Sequence, residues 1–494
     1  MRQPNILWIC TDQQRWDTLS CRGFKGAVTP NIDALAAAGV LFDRAYCQST
    51  VCTPSRTSFL TGTYPIANQV QRNGNDFFPD HHKLLPRMFE EAGYHTGLIG
   101  KLHLSRSNGV TEKRPTQDGY KEFYWSHHPD PDWKEGHDYH RWLEDKGVDA
   151  HALYDKSRSI GAGVSADVHQ TTWAGERARS FVERSKDKPW FLSINVFDPH
   201  PPFDPPAEYL ARFDAKDMPA PLFAPGDLAH QRSLESVDHQ SREPVDPRLG
   251  DPDSELFSEA PLEVTTAGDH DTPPQTYNAK FIRACYQAMI AQIDDMVGTL
   301  VETLRQTDQL EDTLVIFTSD HGEMLGDHGL LFKGCRFYEG LVHVPLIVSW
   351  PRRFTRGAVS PALVELVDLA PTLLEAANIP VPAHMQGKSL LPMLTGSAQL
   401  GEHKPYVLSE YFDALLYAGS RGSRASMYFD GRYKLSVYHD ANLGELFDLV
   451  ADPHEFDDHW NDPAYGELKC QLLNRHFNAM MKVSGIGPSR SSSY

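Results

Sequence analysis

The chain has 494 residues, 40% of them hydrophobic and 23% charged, which is the make-up of a soluble globular protein. Acidic residues outnumber basic ones, 66 to 47, for a formal charge of −19. That excludes a broad nucleic-acid surface, and an anionic ligand would have to be drawn by a local cluster of Lys and Arg. Seven cysteines at irregular spacing argue against a disulfide framework and a zinc ribbon, and no apolar run has the length to cross a bilayer, so no membrane partner is expected.

The stretch 6–11 predicts a strand, reached directly from Met1-Arg2-Gln3-Pro4 with no leader pattern. Cytoplasm is therefore the expected location, or periplasm if a leader precedes these residues. Helices are predicted over 31–38 and 83–92, a strand over 96–99, a helix over 171–185 and a strand over 190–197. Apolar positions from Ile282 to Leu304 keep helical spacing, and strands at 313–318 and 344–349 and a helix at 366–377 follow. This alternation predicts an α/β fold: a large, mostly parallel mixed sheet sandwiched by helices. Two stretches, 105–165 and 204–274, are rich in Pro, Asp, His and Gly and read as insertions that wall the site. A shift in composition near 395–405 divides a catalytic domain, 1–395, from a smaller C-terminal subdomain, 396–494. The latter reads as antiparallel strands at 406–410, 425–429 and 433–437, a turn-rich stretch at 445–454 and a helix over 465–483, with 484–494 disordered.

In a parallel sheet, ligands bind beyond the carboxyl ends of the strands. Four predicted strands end in ionisable or metal-binding side chains: Asp12-Gln13, Lys101-Leu102-His103, Asp198-Pro199-His200 and Ser319-Asp320-His321-Gly322. Each ending alone is also ordinary turn or surface chemistry. Jointly, Asp12 and Asp320 with Gln13 and His321 make a divalent cation site, able to neutralise the oxygens of a bound sulfate or phosphate. The four histidines 127, 128, 137 and 140 match no zinc spacing and read as solvated or substrate-facing.

Residues 52–62, Cys-Thr-Pro-Ser-Arg-Thr-Ser-Phe-Leu-Thr-Gly, place a cysteine where a helix begins, with Pro54 in its first turn and Gly62 at its stop. A thiol there meets the positive end of the peptide dipole and the guanidinium of Arg56 one turn on, in a place suited to an anion. A buried packing cysteine is the alternative. The run resembles the signature of the formylglycine-dependent sulfatases of the alkaline phosphatase superfamily, met by Cys52, Pro54, Ser55, Arg56, Leu60, Thr61 and Gly62. Gly93-Tyr94-x-Thr96 through Gly100-Lys101-x-His103 is similar to that family's second signature. Ser319-Asp320-His321-Gly322, with Gly326-x-His328 and Lys333, is similar to its third, and Gly431 to Leu435 with Glu445 to Pro453 resembles its C-terminal subdomain.

The resemblance implies that a formylglycine-generating maturation enzyme oxidises Cys52 to 3-oxoalanine. It makes Asp12, Gln13, Asp320 and His321, with residue 52, the ligands of a divalent metal: calcium first, manganese or magnesium as alternatives. It also implies that Arg56 and Lys101 hold the aldehyde hydrate, that His103 assists its collapse, and that His200 and Lys333 contact the sulfate and protonate the departing oxygen. Asn73 is a looser match for the pocket. One hydroxyl of the hydrate would attack sulfur, and the second would lose its proton to expel the covalent sulfate. Asp12-Gln13 and Asp320-His321 depart from the commoner Asp-Asp and Asp-Asn. The Asp-His pair is similar to iduronate-type sulfatases and phosphonate monoester hydrolases, and its imidazole weakens the case for calcium. The expected substrate is a small or oligosaccharide sulfate ester, since Tyr124, Trp125, Trp133, Tyr139 and Trp142 could stack on sugar rings or pack among themselves. The rivals are a phosphonate or phosphodiester hydrolase using the same site and an unmodified sulfated-glycan binder. A homo-oligomer stays open.

Overall fold

The alternate residues of the first strand enter two different cores, which is why the strand reads as an unbroken apolar run. In β1 (Asn5–Thr11), Ile6, Trp8 and Cys10 face one cluster and Leu7 and Ile9 the other, all of them buried. The structure, a computed structural model, describes residues 3–80, 83–107, 109–129, 133, 135–154, 160–256, 276–414 and 422–485. β2 (Val40–Tyr46), β3 (His95–Gly100), β4 (Glu122–Trp125), β5 (Trp190–Asn195), β6 (Thr313–Ser319), β7 (His343–Val344), β8 (Leu346–Ser349) and β9 (Ala358–Glu365) complete a nine-stranded sheet. Its order is β4-β3-β5-β1-β6-β8-β2-β7, with β9 on β2. The run from β4 to β6 is parallel, while β8 joins β6 and β2 antiparallel.

Helices cover both faces. Pro30–Ala37, Gln170–Arg184 and Ala279–Gln306 fill one side through Ile32, Phe181 and Ile290, while Cys52–Thr61, Leu85–Glu91 and Leu369–Ala376 fill the other through Phe59, Phe89 and Leu373. Burying one such side chain contributes about 1.5–3 kcal/mol, so the two cores dominate the energetics. A second sheet, β10 (Val407–Phe412), β11 (Arg424–Phe429), β12 (Tyr433–His439) and β13 (Leu443–Asp448), is antiparallel in that order. The helix Gly466–Val483 packs on it through Leu472 and Ala479.

Several elements differ from expectation. The stretch 344–349 is two strands, because Pro345 has no N–H to continue a ladder. The turn-rich reading of 445–454 is corrected: Leu443–Asp448 is the fourth strand of the small sheet, its acidic residues having masked the alternation. The first presumed insertion supplies β4, an edge strand of the main sheet. β2 and β9 went unread, interrupted in sequence by Asp43-Arg44 and by Pro361. Of the tail expected to be disordered, residues 486–494 lie outside the described residues.

Candidate active site

Parallel pairing of β3, β5, β1 and β6 brings their carboxyl ends to one edge, and with them Lys101, His200, Asp12 and Asp320. Gly100 makes the β3 exit: its φ is +102°, and a Cβ there would lie 2.0 Å from the Asn195 carbonyl. The Lys101 N–H donates to that carbonyl at 2.9 Å, and Asn195 Nδ2 donates back to the Lys101 carbonyl at 2.8 Å.

The helix Cys52–Thr61 arrives from the other direction and is buried at every residue, despite its polar sequence. Its hydroxyls find acceptors within the helix: Thr57 Oγ1 donates to the Thr53 carbonyl at 2.8 Å, Ser58 Oγ to Pro54 at 2.9 Å and Thr61 Oγ1 to Thr57 at 2.7 Å. Ser55 Oγ donates to the Asp320 carbonyl at 2.5 Å, pinning the helix to the end of β6. Gly62 closes it in the left-handed region, φ +68°.

The Cys52 thiol stands 3.2 Å from His321 Nε2, 3.2 Å from Lys333 Nζ, 3.6 Å from Lys101 Nζ and 3.6 Å from Asp12 Oδ1. Burial and Asp12 push its pKa up, but Lys101, Lys333 and His321 outweigh them and bring it down to about 5. Arg56 Nε donates to Asp320 Oδ2 at 2.8 Å, and its NH2 lies 3.3 Å from Asp12 Oδ2. Lys101 Nζ also bonds Asp12. Burial works against ionised Asp12, yet Lys101 and Arg56 hold it well below the usual carboxylate range; burial wins at Asp320, whose pKa is raised against the pull of Arg56.

Gln13, at φ 68°, takes the Lys333 ammonium on Oε1 at 2.8 Å and gives its amide N–H to Glu323. His321 Nδ1 lies 2.9 Å from the Gly322 carbonyl, which turns Nε2 toward the thiol; burial lowers the imidazole's pKa, but Asp320 and Cys52 outweigh it and raise it. His200 is arranged likewise, with Nδ1 on the Pro201 carbonyl at 2.7 Å and Nε2 accepting from Lys333 Nζ at 2.9 Å. Asp12, Cys52, Asp320 and His321 offer donor atoms all within 4.8 Å of one another. Two carboxylates, an imidazole nitrogen that a cation would hold deprotonated and the adjacent Gln13 amide form a donor set that fits a divalent cation.

A model of the sulfatase family matches residues 4–379. The chain belongs to the sulfatase family. A model of the C-terminal region of N-sulphoglucosamine sulphohydrolase matches residues 326–482. An uncharacterised sulfatase of Escherichia coli is 28% identical over 493 residues, covering 98% of this chain and 88% of that one. An N-acetylglucosamine-6-O-sulfatase of Bacteroides thetaiotaomicron is 26% identical over 508 residues, covering 96% and 85%. Among solved structures, the phosphonate monoester hydrolase of Agrobacterium radiobacter superposes with a TM-score of 0.78 at 26% identity, covering 97% of this chain and 96% of that one. The protein is thus a sulfatase-family enzyme of the alkaline phosphatase superfamily, placed among the sulfuric ester hydrolases.

The remaining predicted positions fall differently around this sulfatase site. His103 is half-buried, its ring edge-on to His127 at 4.7 Å and its Nδ1 without a hydrogen-bond partner. Burial, with Lys101 and Arg56 nearby, pushes its pKa well below the ordinary value. Asn73 accepts the Thr53 N–H at 2.9 Å, so it holds the mouth of the Cys52 helix. His328 is stacked on Tyr338 at 4.2 Å, its Nδ1 3.5 Å from Asp227. Trp125, Trp133, Tyr139 and Trp142 are buried, so they serve packing rather than an open stacking surface. His137 and His140 are buried too, and among the described residues the metal-type grouping is the one at Cys52. The sequence reading missed Glu323, which orients Gln13, although its place next to the Asp320-His321-Gly322 run was a usable signal. It also missed Glu112, which bonds the His103 amide and carried no signal at all.

Proposed function

We propose that this sulfatase hydrolyses sulfate monoesters of carbohydrates, using the aldehyde hydrate formed from Cys52 and a divalent cation held by Asp12, Gln13, Asp320, His321 and residue 52. The observation that carries the reading is the Cys52 thiol, at a helix mouth, within 3.2 Å of both His321 Nε2 and Lys333 Nζ and 3.6 Å from Asp12. The hydrate supplies one hydroxyl to attack sulfur and a second whose deprotonation releases sulfate. The cation, when bound, neutralises the sulfate oxygens; calcium is proposed, with manganese and magnesium as the alternatives that metal analysis separates.

The chain's own residues supply the rest. Lys101 and Arg56 fix Asp12 and Asp320 and present positive charge at residue 52. Lys333, which touches both the thiol and His200, is placed to protonate the departing alcohol with His200 behind it. His103, whose imidazole burial and neighbouring cations keep unprotonated, is assigned to accept the hydroxyl proton by the family resemblance; the same surroundings make it a weak base. Since Cys52 is wholly buried, a maturation enzyme has to reach it before the helix packs. A carbohydrate substrate is supported by the N-sulphoglucosamine sulphohydrolase match and by the N-acetylglucosamine-6-O-sulfatase relative.

Chain produced together with a formylglycine-generating enzyme should turn over 4-nitrophenyl sulfate. By intact mass, it should have lost the elements of hydrogen sulfide and gained one oxygen atom at Cys52. Near-normal turnover by Cys52→Ala would end the proposal. The phosphonate hydrolase likeness and the Asp320-His321 pair favour a second reading, phosphonate monoester hydrolysis at the same site. Faster turnover of a phenyl phosphonate ester than of the aryl sulfate would select it.

A further inference from the structure

Glu112 sits 2% exposed in a stretch with no regular structure, and four N–H groups converge on its carboxylate. Oε1 accepts from the His103 amide at 2.5 Å and from the Trp125 indole at 2.8 Å. Oε2 accepts from the Leu104 amide at 2.7 Å and the Ser105 amide at 3.2 Å. Three successive amides turned toward one anion form a backbone nest, and His103 is its first residue, in the left-handed region at φ 55°. A second tie lies alongside, Ser105 Oγ to the Lys113 carbonyl at 2.9 Å.

The fourth donor reaches another element. Trp125 ends β4 and is fully buried, its ring 5.3 Å from Trp133 and 5.5 Å from His137. Next to it, His127 meets the ring of His103. A single carboxylate therefore joins the backbone of His103 to the aromatic wall beside it. The three amides fix the backbone of residues 103–105 on Glu112, and the His127 ring, on the stretch that Trp125 anchors to the same carboxylate, limits the swing of the imidazole.

We propose that Glu112 is a positioning residue: it locks residues 103–105 so that the His103 imidazole is held at the reacting centre, and it couples that histidine to the wall built on Trp125. The inference rests on the functional reading above only for the role of His103; the locking itself does not depend on it.

Glu112→Gln is close in shape but sets an NH2 against one pair of the four donors. With 4-nitrophenyl sulfate, kcat should fall on the order of 100-fold, the scale of a 1 Å misplacement, with KM unchanged. In a His103→Ala background the same substitution should cost nothing more. Trp125→Phe, which removes the indole donor alone, should show a smaller loss of the same kind, and it serves if Glu112→Gln does not fold. Unchanged kcat, or an equal loss in both backgrounds, overturns the proposal. Amide hydrogen exchange separates the two readings: even if wild type hydrolyses neither ester, peptides covering 103–105 should exchange faster in Glu112→Gln than in wild type. Equal exchange refutes the lock.

Discussion

Arg56 is the cation whose loss the fold should feel most, and Arg56→Met tests this at nearly constant volume. The guanidinium is fully buried and meets Asp320 at 2.8 Å, Asp12 at 3.3 Å and the Lys101 carbonyl at 3.0 Å. The carbonyl keeps the Asn195 amide as a donor, Asp12 keeps Lys101, and Asp320 Oδ1 keeps the Gln13 and His321 amides at 3.0 and 2.9 Å, so the loss falls on Asp320 Oδ2, which is left without its charged partner. Stranding one buried charge costs about 3–5 kcal/mol. At an unfolding entropy of about 2.1 cal/mol/K per residue, 4 kcal/mol lowers the midpoint of a chain this long by about 4 °C. Arg56→Lys should cost about half as much, since one ammonium cannot serve both Asp320 and the carbonyl. Burial already raises Asp320, so without Arg56 it protonates more readily, and the deficit should be smaller at pH 5 than at pH 8. Thermal and urea unfolding in the presence of chelator would be compared with Arg475→Met, whose exposed pair with Asp430, at 3.5 Å, is worth about 0–1 kcal/mol. If Arg56→Met matched that surface control, the account of the buried network would be wrong.

Two further outcomes follow from the same coordinates. Chelator-stripped protein should gain about 2.7 kcal/mol of stability at a cation concentration a hundredfold above Kd, whereas Asp320→Asn should gain nothing; an equal gain in the variant would place the cation elsewhere. Glu410 is buried with Oε1 unpartnered, and burial raises its pKa from 4.5 to about 8. The folded state therefore keeps a proton that the unfolded chain sheds above 4.5, so stability falls as pH rises from 4.5 to about 8, by on the order of 5 kcal/mol at roughly 1.4 kcal/mol per unit. Glu410→Gln should flatten that decline; an unchanged pH profile of the unfolding midpoint would exclude Glu410 as its source.

The endings of β1, β3, β5 and β6 were legible because their apolar runs stop abruptly at charged residues, and parallel pairing then forces those ends together. The helix at Cys52 was legible from Pro54 and Gly62 alone. What stayed hidden depends on partners far along the chain. β2 is broken by Asp43-Arg44, and only its pairing with β8 and β9 makes it a strand. Trp125 and Trp133 could be read as a platform for sugar rings or as packing, since aromatic content does not reveal burial. Glu112 and Glu323 act through backbone amides and a neighbouring glutamine, and such contacts leave no periodic trace.

A chain of formal charge −19 has to admit an anion, and the site shows how. Around Cys52, the three cations Arg56, Lys101 and Lys333 outnumber the carboxylates Asp12 and Asp320, all in a water-excluded setting where each charge acts strongly. The thiolate itself, with a pKa near 5, cancels that surplus and stands where an anionic ester would approach. Under the proposed function, an uncharged aldehyde hydrate in its place would restore the surplus as well as provide the nucleophile. Gln13 works in the same direction: a carboxylate there would add a negative charge against Glu323, whereas the amide gives Glu323 its N–H and keeps its oxygen for Lys333 or a cation. The local balance of charge is thus set by residues 13 and 52 together, one neutral by composition and the other neutral once oxidised as proposed.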